Sequence, residues 1–255
     1  MTFKRLFFDI ETSPNIGFFW SAGYKLNISP ENIIQERAVI CVCYKWAHEK
    51  QVQYLTWDKG DDKQLLEKFM QIMNSADEVI GQNSDNFDIK WLRTRCLKHN
   101  IPAYPEYQSV DTYKLAKKYF RFNSNKLDYM SSFMGFGNKL HTGYNLWKDI
   151  VLNNDEKSMN QMVKYCKKDV VLTQKVFEKM NPFIKHKTHR AVLEGNTKLE
   201  CPECGSDDVR LNGTRVSAAG VKKRILQCRK CSKFYNIAVT HYNKLMADKE
   251  NKAKI

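Results

Sequence analysis

The chain has 255 residues, of which 42% are hydrophobic, so it can form one large domain or a medium domain with a small one. Its formal net charge of +14 favours a polyanionic partner, of which nucleic acid is the commonest, although some basic proteins have no such partner. No run of about 18 apolar residues occurs, which excludes a transmembrane helix and predicts no membrane association.

The first part of the chain predicts three consecutive strands. Residues 3–10 contain an apolar run that ends at Asp9, and residues 38–46 and 51–57 are rich in β-branched and aromatic residues. A short polar turn joins the last two, so we expect antiparallel pairing. Between the first two strands lies a polar and aromatic insertion, residues 13–37, whose structure the pattern does not specify. Its aromatic residues include Phe18, Phe19, Trp20 and Tyr24.

Helices and short strands alternate after this point. The spacing of apolar residues predicts helices at 62–74, 87–99, 112–121, 126–134 and 156–180. Residues 78–81 and a segment that ends at Val110 predict two further strands. This order predicts an α/β fold in which helices flank a mixed five-stranded sheet, as in ribonuclease H-like proteins.

The chain after the last predicted helix differs in composition. Pro182 helps to end that helix, and the polar and basic residues 185–198 are interpreted as a linker. We therefore predict a first domain at 1–184, a small cysteine-containing domain at 199–240 and a basic tail at 241–255.

Acidic residues occur in three short motifs within the first predicted domain. Asp9 and Glu11 are two apart on a predicted strand, which places both side chains on one face. Asp88 comes at the start of a predicted helix, and Tyr165 and Asp169 lie four apart on one face of the final helix. Carboxylates in such an arrangement can converge on two divalent ions, because Mg²⁺ and Mn²⁺ prefer oxygen ligands.

Each motif on its own is common in proteins that have no metal site. The segment from Asn83 to Asp88 is more often a helix start, which Asn83 or Asp85 would cap. Asp85 is also a rival of Asp88 as a ligand, and Asp111 is either a supporting acid or a cap of the following helix. All three motifs in this order are far less frequent by chance than any one of them.

Together these motifs resemble the DEDD superfamily of 3′–5′ exonucleases, and most closely the exonuclease domain of family B DNA polymerases. The resemblance rests on Asp9-Ile10-Glu11-Thr12, Asn83-x-x-x-Phe87-Asp88 and Tyr165-x-x-x-Asp169. Lys126-Leu127-Asp128 with Met134-Gly135 is similar to a helix between the second and third motifs, so the resemblance covers roughly residues 3–180. Lys164 stands where the histidine subclass has its His, so the chain resembles the tyrosine (DEDDy) subclass.

The resemblance implies a role for each matched residue. Asp9 would bridge two Mg²⁺ or Mn²⁺ ions, and Glu11 and Asp169 would complete the site of one ion. Asp88 would help to hold the other ion, partly through water. Tyr165 would orient the attacking water.

The implied reaction is hydrolysis of terminal phosphodiesters by in-line attack of water, which releases nucleoside 5′-monophosphates. The expected substrate is single-stranded DNA, with RNA as the alternative. Asn83 and Phe87 are candidate nucleic-acid contacts, although Phe87 is more simply a core residue. Two other functions stay open: a nucleic-acid-binding protein without activity, and a structure-specific endonuclease on the same fold. Replication or repair proteins are candidate protein partners.

The start of the chain does not resemble a targeting signal. Lys4 and Arg5 are basic, but no apolar core and no cleavage site follow them. We therefore expect an intracellular, cytoplasmic location, associated with the nucleoid if the protein is encoded by a bacterium or a phage. Thiols stay reduced in that compartment.

Four of the eight cysteines form two C-x₂-C pairs separated by 23 residues. Cys201 with Cys204, and Cys228 with Cys231, match a closed tetrahedral Zn²⁺ site of the structural kind. An iron–sulfur site is the less common alternative, and disulfides are unexpected in an intracellular chain. The remaining cysteines are expected to be plain thiols: Cys41, Cys43, Cys96 and Cys166.

Positive charge is densest around this cysteine module. From residue 186 onward 15 Lys and Arg oppose 7 Asp and Glu, a net charge of +8, whereas the first 185 residues carry 27 against 21, or +6. The module resembles nucleic-acid-binding zinc ribbons, and we interpret it as a tether to DNA or RNA. A folding module that touches no ligand is the alternative. Its candidate nucleic-acid contacts are Arg215, Lys222, Lys223 and Arg224.

Overall fold

The computed structural model describes residues 3–21, 23, 28–139, 143–185 and 188–252. The chain divides into two compact units, of which the first is Lys4–Lys179 and the second contains the chain from Met180 onward. Within the described residues, no helix combines the length and the apolar composition that a bilayer-spanning segment requires.

A mixed five-stranded sheet forms the centre of the first unit. Its strands, in spatial order, are β5 (Gln53–Thr56), β4 (Val39–Trp46), β1 (Arg5–Thr12), β6 (Glu78–Gly81) and β7 (Gln108–Asp111). β1 pairs antiparallel with β4, and β4 with β5, as the sequence predicts for the first three strands. β6 and β7 continue the sheet parallel to β1. The predicted α/β architecture is therefore confirmed.

The insertion predicted at 13–37 contains a small hairpin of β2 (Ile16–Gly17) and β3 (Ile33–Gln35). Three aromatic side chains of the insertion are largely exposed, and Tyr24 lies outside the described residues. The exposed side chains are Phe18, Phe19 and Trp20.

Six helices of the first unit are α1 (Lys63–Asn74), α2 (Asp88–Lys98), α3 (Thr112–Tyr119), α4 (Leu127–Phe133), α5 (Asn145–Asn153) and α6 (Glu156–Met180, whose last residue begins the second unit). The sequence predicts five of them to within about two residues. It does not predict α5, because this helix buries only Leu146 and Ile150, and one such pair is too short a pattern to define a helical period.

The two faces of β1 have different partners. Ile10 belongs to the large apolar core that α1 and α2 cover. Phe7 points to the opposite face, where its ring lies 5.8 Å from the ring of Phe177 on α6. Because side chains alternate along a strand, Asp9 and Glu11 also lie on the α6 face.

β1 is longer than the sequence predicts. It continues to Thr12 rather than ending at residue 10, because its pairing with β4 extends that far. Its pairing with β6, in contrast, ends at Phe7 opposite Ile80. The last part of β1 therefore projects beyond its parallel neighbour, and this projecting part contains the first acidic motif.

The second unit contains α7 (Arg190–Leu193) and an antiparallel sheet of β8 (Val209–Val216), β9 (Lys222–Cys228) and β10 (Phe234–Ala238), followed by α8 (Val239–Lys252). Side chains of α8 pack on one face of this sheet, around Leu226 and Ile237. The basic tail predicted from residue 241 is thus part of a helix as far as Lys252.

The segment predicted as a linker, residues 185–198, differs from that expectation where the structure describes it. The backbone N–H of Arg190 in α7 donates to the carbonyl of Pro202 at 2.9 Å. The ammonium group of Lys233 in turn donates to the carbonyl of Ile184, just before the segment. The polar composition indicated a linker because hydrogen bonds of this kind leave no mark on composition, but the described residues of the segment are a folded part of the second unit.

Asp62 joins α1, α2 and β4 through a fully buried carboxylate. It accepts two hydrogen bonds from the guanidinium of Arg95, at 2.7 and 2.8 Å, and one from the backbone N–H of Val39 at 2.9 Å. Burial raises the pKa of Asp62, but the bonds to Arg95 and Val39 outweigh this effect and hold the pKa below its usual value. The group is therefore a buried ion pair with its hydrogen bonds satisfied.

We predict that Asp62→Ala lowers the free energy of unfolding of the first unit by about 3–5 kcal/mol, because Arg95 is then buried without a counter-charge. Tryptophan fluorescence in a urea titration measures this unit alone, since all five tryptophans precede residue 180. Glu67→Gln, at an exposed position of α1, is the control and should change stability by less than about 0.5 kcal/mol. Equal effects of the two variants would contradict the prediction.

Candidate active site

Three carboxylates meet on the α6 face of β1. Asp9 and Glu11 extend from β1 and Asp169 from α6, and one oxygen of each lies within 4.8 Å of the others. On the neighbouring strand β4, buried Cys43 stands opposite Asp9 and buried Cys41 opposite Glu11. These cysteine side chains are small, so α6 can approach the sheet closely, and the thiol of Cys166 on α6 donates to the backbone oxygen of Asp9 at 3.4 Å.

Asp88 reaches the same region from the start of α2. It is 3% exposed, and its Oδ1 accepts a hydrogen bond at 3.1 Å from the backbone N–H of Ile10, in the projecting part of β1. The carboxylate of Asp88 thus accepts the hydrogen bond that the backbone of a neighbouring strand would otherwise accept from Ile10. The N-terminal end of α2 adds a positive partial charge, which favours an ionised carboxylate there.

Burial makes the ionised forms of these acids unfavourable. Burial, followed by repulsion from neighbouring carboxylates, raises the pKa of Asp9 well above its usual value and that of Glu11 to about 8. Burial also raises the pKa of Asp88 to about 7 and that of Asp169 above its usual value. The Oδ1 of Asp169 is buried and has no hydrogen-bond partner among the described residues. Such a group of acidic oxygens fits hard divalent cations.

Lys139 is a residue of this site that the sequence did not reveal. Its ammonium nitrogen lies 2.5 Å from Oδ2 of Asp169 and donates to the hydroxyl oxygen of Tyr165 at 3.2 Å. Burial lowers the pKa of Lys139, but Asp169 more than offsets this, so the pKa lies above its usual value. The backbone N–H of Lys139 donates to Oδ1 of Asp128 at 2.7 Å. That bond holds the loop that contains Lys139 against the Lys126-Leu127-Asp128 motif. This motif is the only feature of the sequence that points to the position of Lys139.

Tyr165 lies one turn before Asp169 on α6, so both face the carboxylates. Burial, followed by the charge of Asp169, raises the pKa of Tyr165 to about 12. Tyr165 therefore remains a neutral hydroxyl at physiological pH. Because that hydroxyl accepts from Lys139, its own hydrogen is directed elsewhere and can be donated to another group.

The loop before α2 is held by Asp111. Asn83 has a left-handed backbone conformation, with φ of 58°, and its N–H donates to Asp111 at 2.9 Å. The same carboxylate accepts from the N–H groups of Tyr113 and Lys114 and so caps α3. Of the two roles predicted for Asp111, the structure shows the cap.

The other expectations for this loop need correction. Neither Asn83 nor Asp85 caps α2, because the helix begins after Phe87 without a side-chain cap. The carboxylate of Asp85 is held by Ser109 at 2.5 Å and by Lys114 at 2.8 Å, and these bonds direct it away from the role of rival ligand. Phe87 is partly buried and packs against the apolar core, the simpler of its two predicted roles, and its contact with nucleic acid stays a prediction.

A cavity of about 490 Å³ opens beside Lys139. Its lining combines amide side chains, two lysines, one aspartate, one leucine and one aromatic ring. Asn83, predicted as a nucleic-acid contact, is one of the residues that line it. The lining residues are Gln82, Asn83, Asn86, Tyr113, Lys126, Leu127, Asp128 and Lys139.

The four cysteines of the second unit converge on one point. Their sulfur atoms lie within 4.8 Å of one another, and Cys201–Cys231 and Cys204–Cys228 are separated by 3.5 and 3.6 Å. Tetrahedral Zn²⁺ with bonds of about 2.3 Å places its ligands about 3.8 Å apart, so the group fits this ion. Left-handed residues directly after each pair, Gly205 and Ser232, allow the chain to turn back.

A mixed sheet with buried acids at its projecting central strand defines a ribonuclease H-like α/β protein. A family model described as a predicted 3′–5′ exonuclease related to the exonuclease domain of PolB matches residues 30–192, and the chain belongs to this family. The match includes Asp88, Tyr165 and Asp169. Asp9 and Glu11 precede it, so their place in the site comes from the structure and the motif.

Among solved structures, the chain is similar to the family B DNA polymerase from the hyperthermophilic archaeon Pyrobaculum calidifontis, with a TM-score of 0.55 and 19% identity. The similarity covers 71% of this chain and 25% of the polymerase, so the chain spans about a quarter of that protein. At this identity the likeness shows the fold, and it confirms the ribonuclease H-like prediction. No curated protein matches the chain.

The raised pKa values predict that the first unit loses stability with rising pH when no divalent ion is bound. An acid with a raised folded-state pKa binds its proton more tightly when folded, so the stability that it contributes at low pH disappears as pH rises through that pKa. Because the pKa of Asp88 rises from its usual 3.8 to about 7 and that of Glu11 from 4.5 to about 8 on folding, the Tm should fall between about pH 4 and pH 8 in magnesium-free buffer.

Tryptophan fluorescence during heating measures this Tm, and Mg²⁺ should raise it more at high pH, where the carboxylates are ionised. Asp88→Asn is the matched variant and should show a weaker pH dependence. A Tm that increases over this range in magnesium-free wild type would contradict the prediction.

Proposed function

We propose that this protein is a 3′–5′ exonuclease that hydrolyses the terminal phosphodiester of single-stranded DNA and releases nucleoside 5′-monophosphates. The observation that carries the proposal is the convergence of Asp9, Glu11 and Asp169 within 4.8 Å, with Asp88 bonded to the same strand. Family membership supports it, because the family is described as exonucleases.

Asp9, Glu11, Asp88 and Asp169 would hold two Mg²⁺ or Mn²⁺ ions, since they supply several hard oxygen ligands and Asp169 retains a buried oxygen without a partner among the described residues. Bound ions would supply the positive charge that polarises the phosphodiester and activates water. Asp9 would be the shared ligand, since the charges of Asp88, Asp169 and Glu11 all act on it.

Tyr165 and Lys139 are assigned positioning roles. Lys139 donates to the oxygen of Tyr165, and the hydroxyl of Tyr165 also forms a hydrogen bond with Asp169. With substrate bound, that hydroxyl would instead orient a water or a phosphate oxygen. Lys139 also offsets part of the negative charge through Asp169. Asn83 and Lys126 line the adjoining cavity and are the candidate contacts to the terminal nucleotide.

The test is degradation of a 5′-labelled single strand with Mg²⁺ or Mn²⁺. The wild type should shorten the strand stepwise from its 3′ end. Asp9→Ala should reduce the rate by more than about 100-fold, since even loss of a group that supports a metal ligand reduces activity about 10–100-fold. Glu106→Gln, an exposed acid of the same unit, is the control and should act as wild type.

Different outcomes separate the remaining functions. Cleavage of circular single strands would identify an endonuclease, and faster loss of RNA than of DNA would identify an RNA exonuclease. Absence of degradation of every DNA and RNA substrate, with either ion, would refute the enzyme and leave a nucleic-acid-binding protein.

For the second unit, we propose a structural Zn²⁺ site and a nucleic-acid-binding sheet. Arg215 on β8 stands directly opposite Lys223 on β9. Like charges at opposed positions destabilise a sheet, and a polyanion would relieve this repulsion. Both side chains lie on the face of the sheet opposite α8, since Leu226 faces that helix and side chains alternate along β9.

Arg224 is a weaker candidate than the sequence suggested. Its guanidinium lies 5.7 Å from the ring centroid of Tyr242 on α8 and donates to the hydroxyl of Thr214 at 2.8 Å. These contacts place it on the helix-covered face, as the alternation along β9 requires. Lys222 is exposed at the end of β9 and remains a candidate.

Two variants test the second unit. Cys228→Ser should abolish the zinc content of the purified protein, which elemental analysis measures. Arg215→Ala with Lys223→Ala should retain zinc but weaken binding of the Asp9→Ala protein to oligo(dT), and should reduce the salt dependence of binding by about 0.7 per lost phosphate contact.

The matched control removes two other exposed charges, with Lys230→Ala and Lys244→Ala. It should change affinity less than the double variant of the sheet. Equal losses in the two double variants would show that net charge alone acts, and unchanged zinc in Cys228→Ser would refute the four-cysteine site.

A further inference from the structure

Four aromatic rings form a continuous row outside the main core of the first unit. Phe120 and Phe122 stack with ring centroids 5.4 Å apart, and Phe122 meets Phe133 edge-on at 5.4 Å. Phe133 in turn stacks with Tyr129 at 6.2 Å. We call these four residues the aromatic row; it joins the chain that follows α3 to the outer face of α4.

The row is a surface feature. The inner side of α4 is buried, at Leu127 and Met130. Tyr129 and Phe133 occupy its outer side, and Phe133 is 66% exposed. A large aromatic ring that keeps two thirds of its surface in water contributes little to folding, but it offers a face on which another ring can stack.

The surroundings of the row are strongly basic. Residues 112–127 contain five Lys and Arg and no Asp or Glu. Arg121 lies between Phe120 and Phe122 in the chain, and Lys126 lies between Phe122 and Tyr129, so a ligand on the row would meet cations close to the rings. These five basic residues are all exposed: Lys114, Lys117, Lys118, Arg121 and Lys126.

On α4, the row begins directly after residues that line the cavity beside Lys139. Lys126, Leu127 and Asp128 line that cavity, and Tyr129 follows them directly on α4. Phe133 lies six residues after Leu127, which corresponds to about 9 Å along a helix. A strand whose 3′ end occupied the cavity would therefore reach the row within a few nucleotides.

We propose that the aromatic row binds unpaired nucleotides of single-stranded DNA upstream of the 3′ end that the cavity receives. The inference rests on the proposed function for the direction of the strand. Aromatic faces beside cations match a ligand that alternates bases with phosphates. The ligand must be single-stranded, because the bases of a duplex are already stacked on one another and cannot lie on these rings.

Binding to fluorescent d(T)₂₀ tests this in the Asp9→Ala protein without Mg²⁺, so that hydrolysis is not required. Phe133→Ala should raise the Kd about 5- to 150-fold, the loss expected when one stacking side chain of about 1–3 kcal/mol is removed. Phe133→Trp should restore affinity, because stacking needs an aromatic ring. Leu97→Ala, at an 80% exposed apolar position of α2, is the control and should bind as the parent protein.

A base analogue supplies a direct signature of stacking. With 2-aminopurine scanned over the second to sixth nucleotides from the 3′ end, the parent protein should quench its fluorescence most at one or two positions, and Phe133→Ala should remove that maximum. Unchanged affinity in Phe133→Ala, or equal losses in Phe133→Ala and Phe133→Trp, would overturn the proposal.

The result is independent of the test of catalysis. If the wild type degrades no nucleic acid but Phe133→Ala still weakens binding, the proposed enzyme fails and the binding row stands. If degradation from the 3′ end occurs and Phe133→Ala binds as the parent, the enzyme stands and the row fails.

Discussion

Burial of several carboxylates at one place is the constraint on which the first unit depends. Burial raises the pKa values of Asp9, Glu11, Asp88 and Asp169, repulsion from neighbouring acids adds to this for Asp9 and Glu11, and among the described residues Lys139 is the cation in contact with Asp169. Like charges removed from water separate or become protonated unless the structure prevents it. The arrangement persists because each acid extends from a rigid element that is held by other contacts.

The projecting end of β1 makes this arrangement possible. Pairing with β4 continues to Thr12, while pairing with β6 stops at Phe7, so one edge of the strand is free to bond a side chain. Asp88 takes that edge through the N–H of Ile10. Because side chains alternate along β1, one side of the strand faces the apolar core and its acidic residues face the other side. Helix α6 covers the acidic side.

Local periodicity is enough to predict the parts of the site that lie on regular elements. Asp9 and Glu11 share a face because they are two apart on a strand, and Asp169 faces them from a helix whose period is evident in the sequence. Lys139 has no such signal, because a tertiary bond to Asp128 places its loop. The sequence also could not predict on which face of the small sheet Arg224 lies, because this depends on which face α8 covers.

Charge at two length scales favours a polymer as the ligand. The chain as a whole is strongly basic and attracts polyanions over long distances, whereas the carboxylate group repels any phosphate that approaches without cations. Under the proposed function, a substrate would therefore be held best by contacts away from the acids, at the basic residues 112–127 and at the neutral faces of the aromatic row. A chain of nucleotides long enough to reach these contacts would use that attraction to place its end phosphate against the carboxylates.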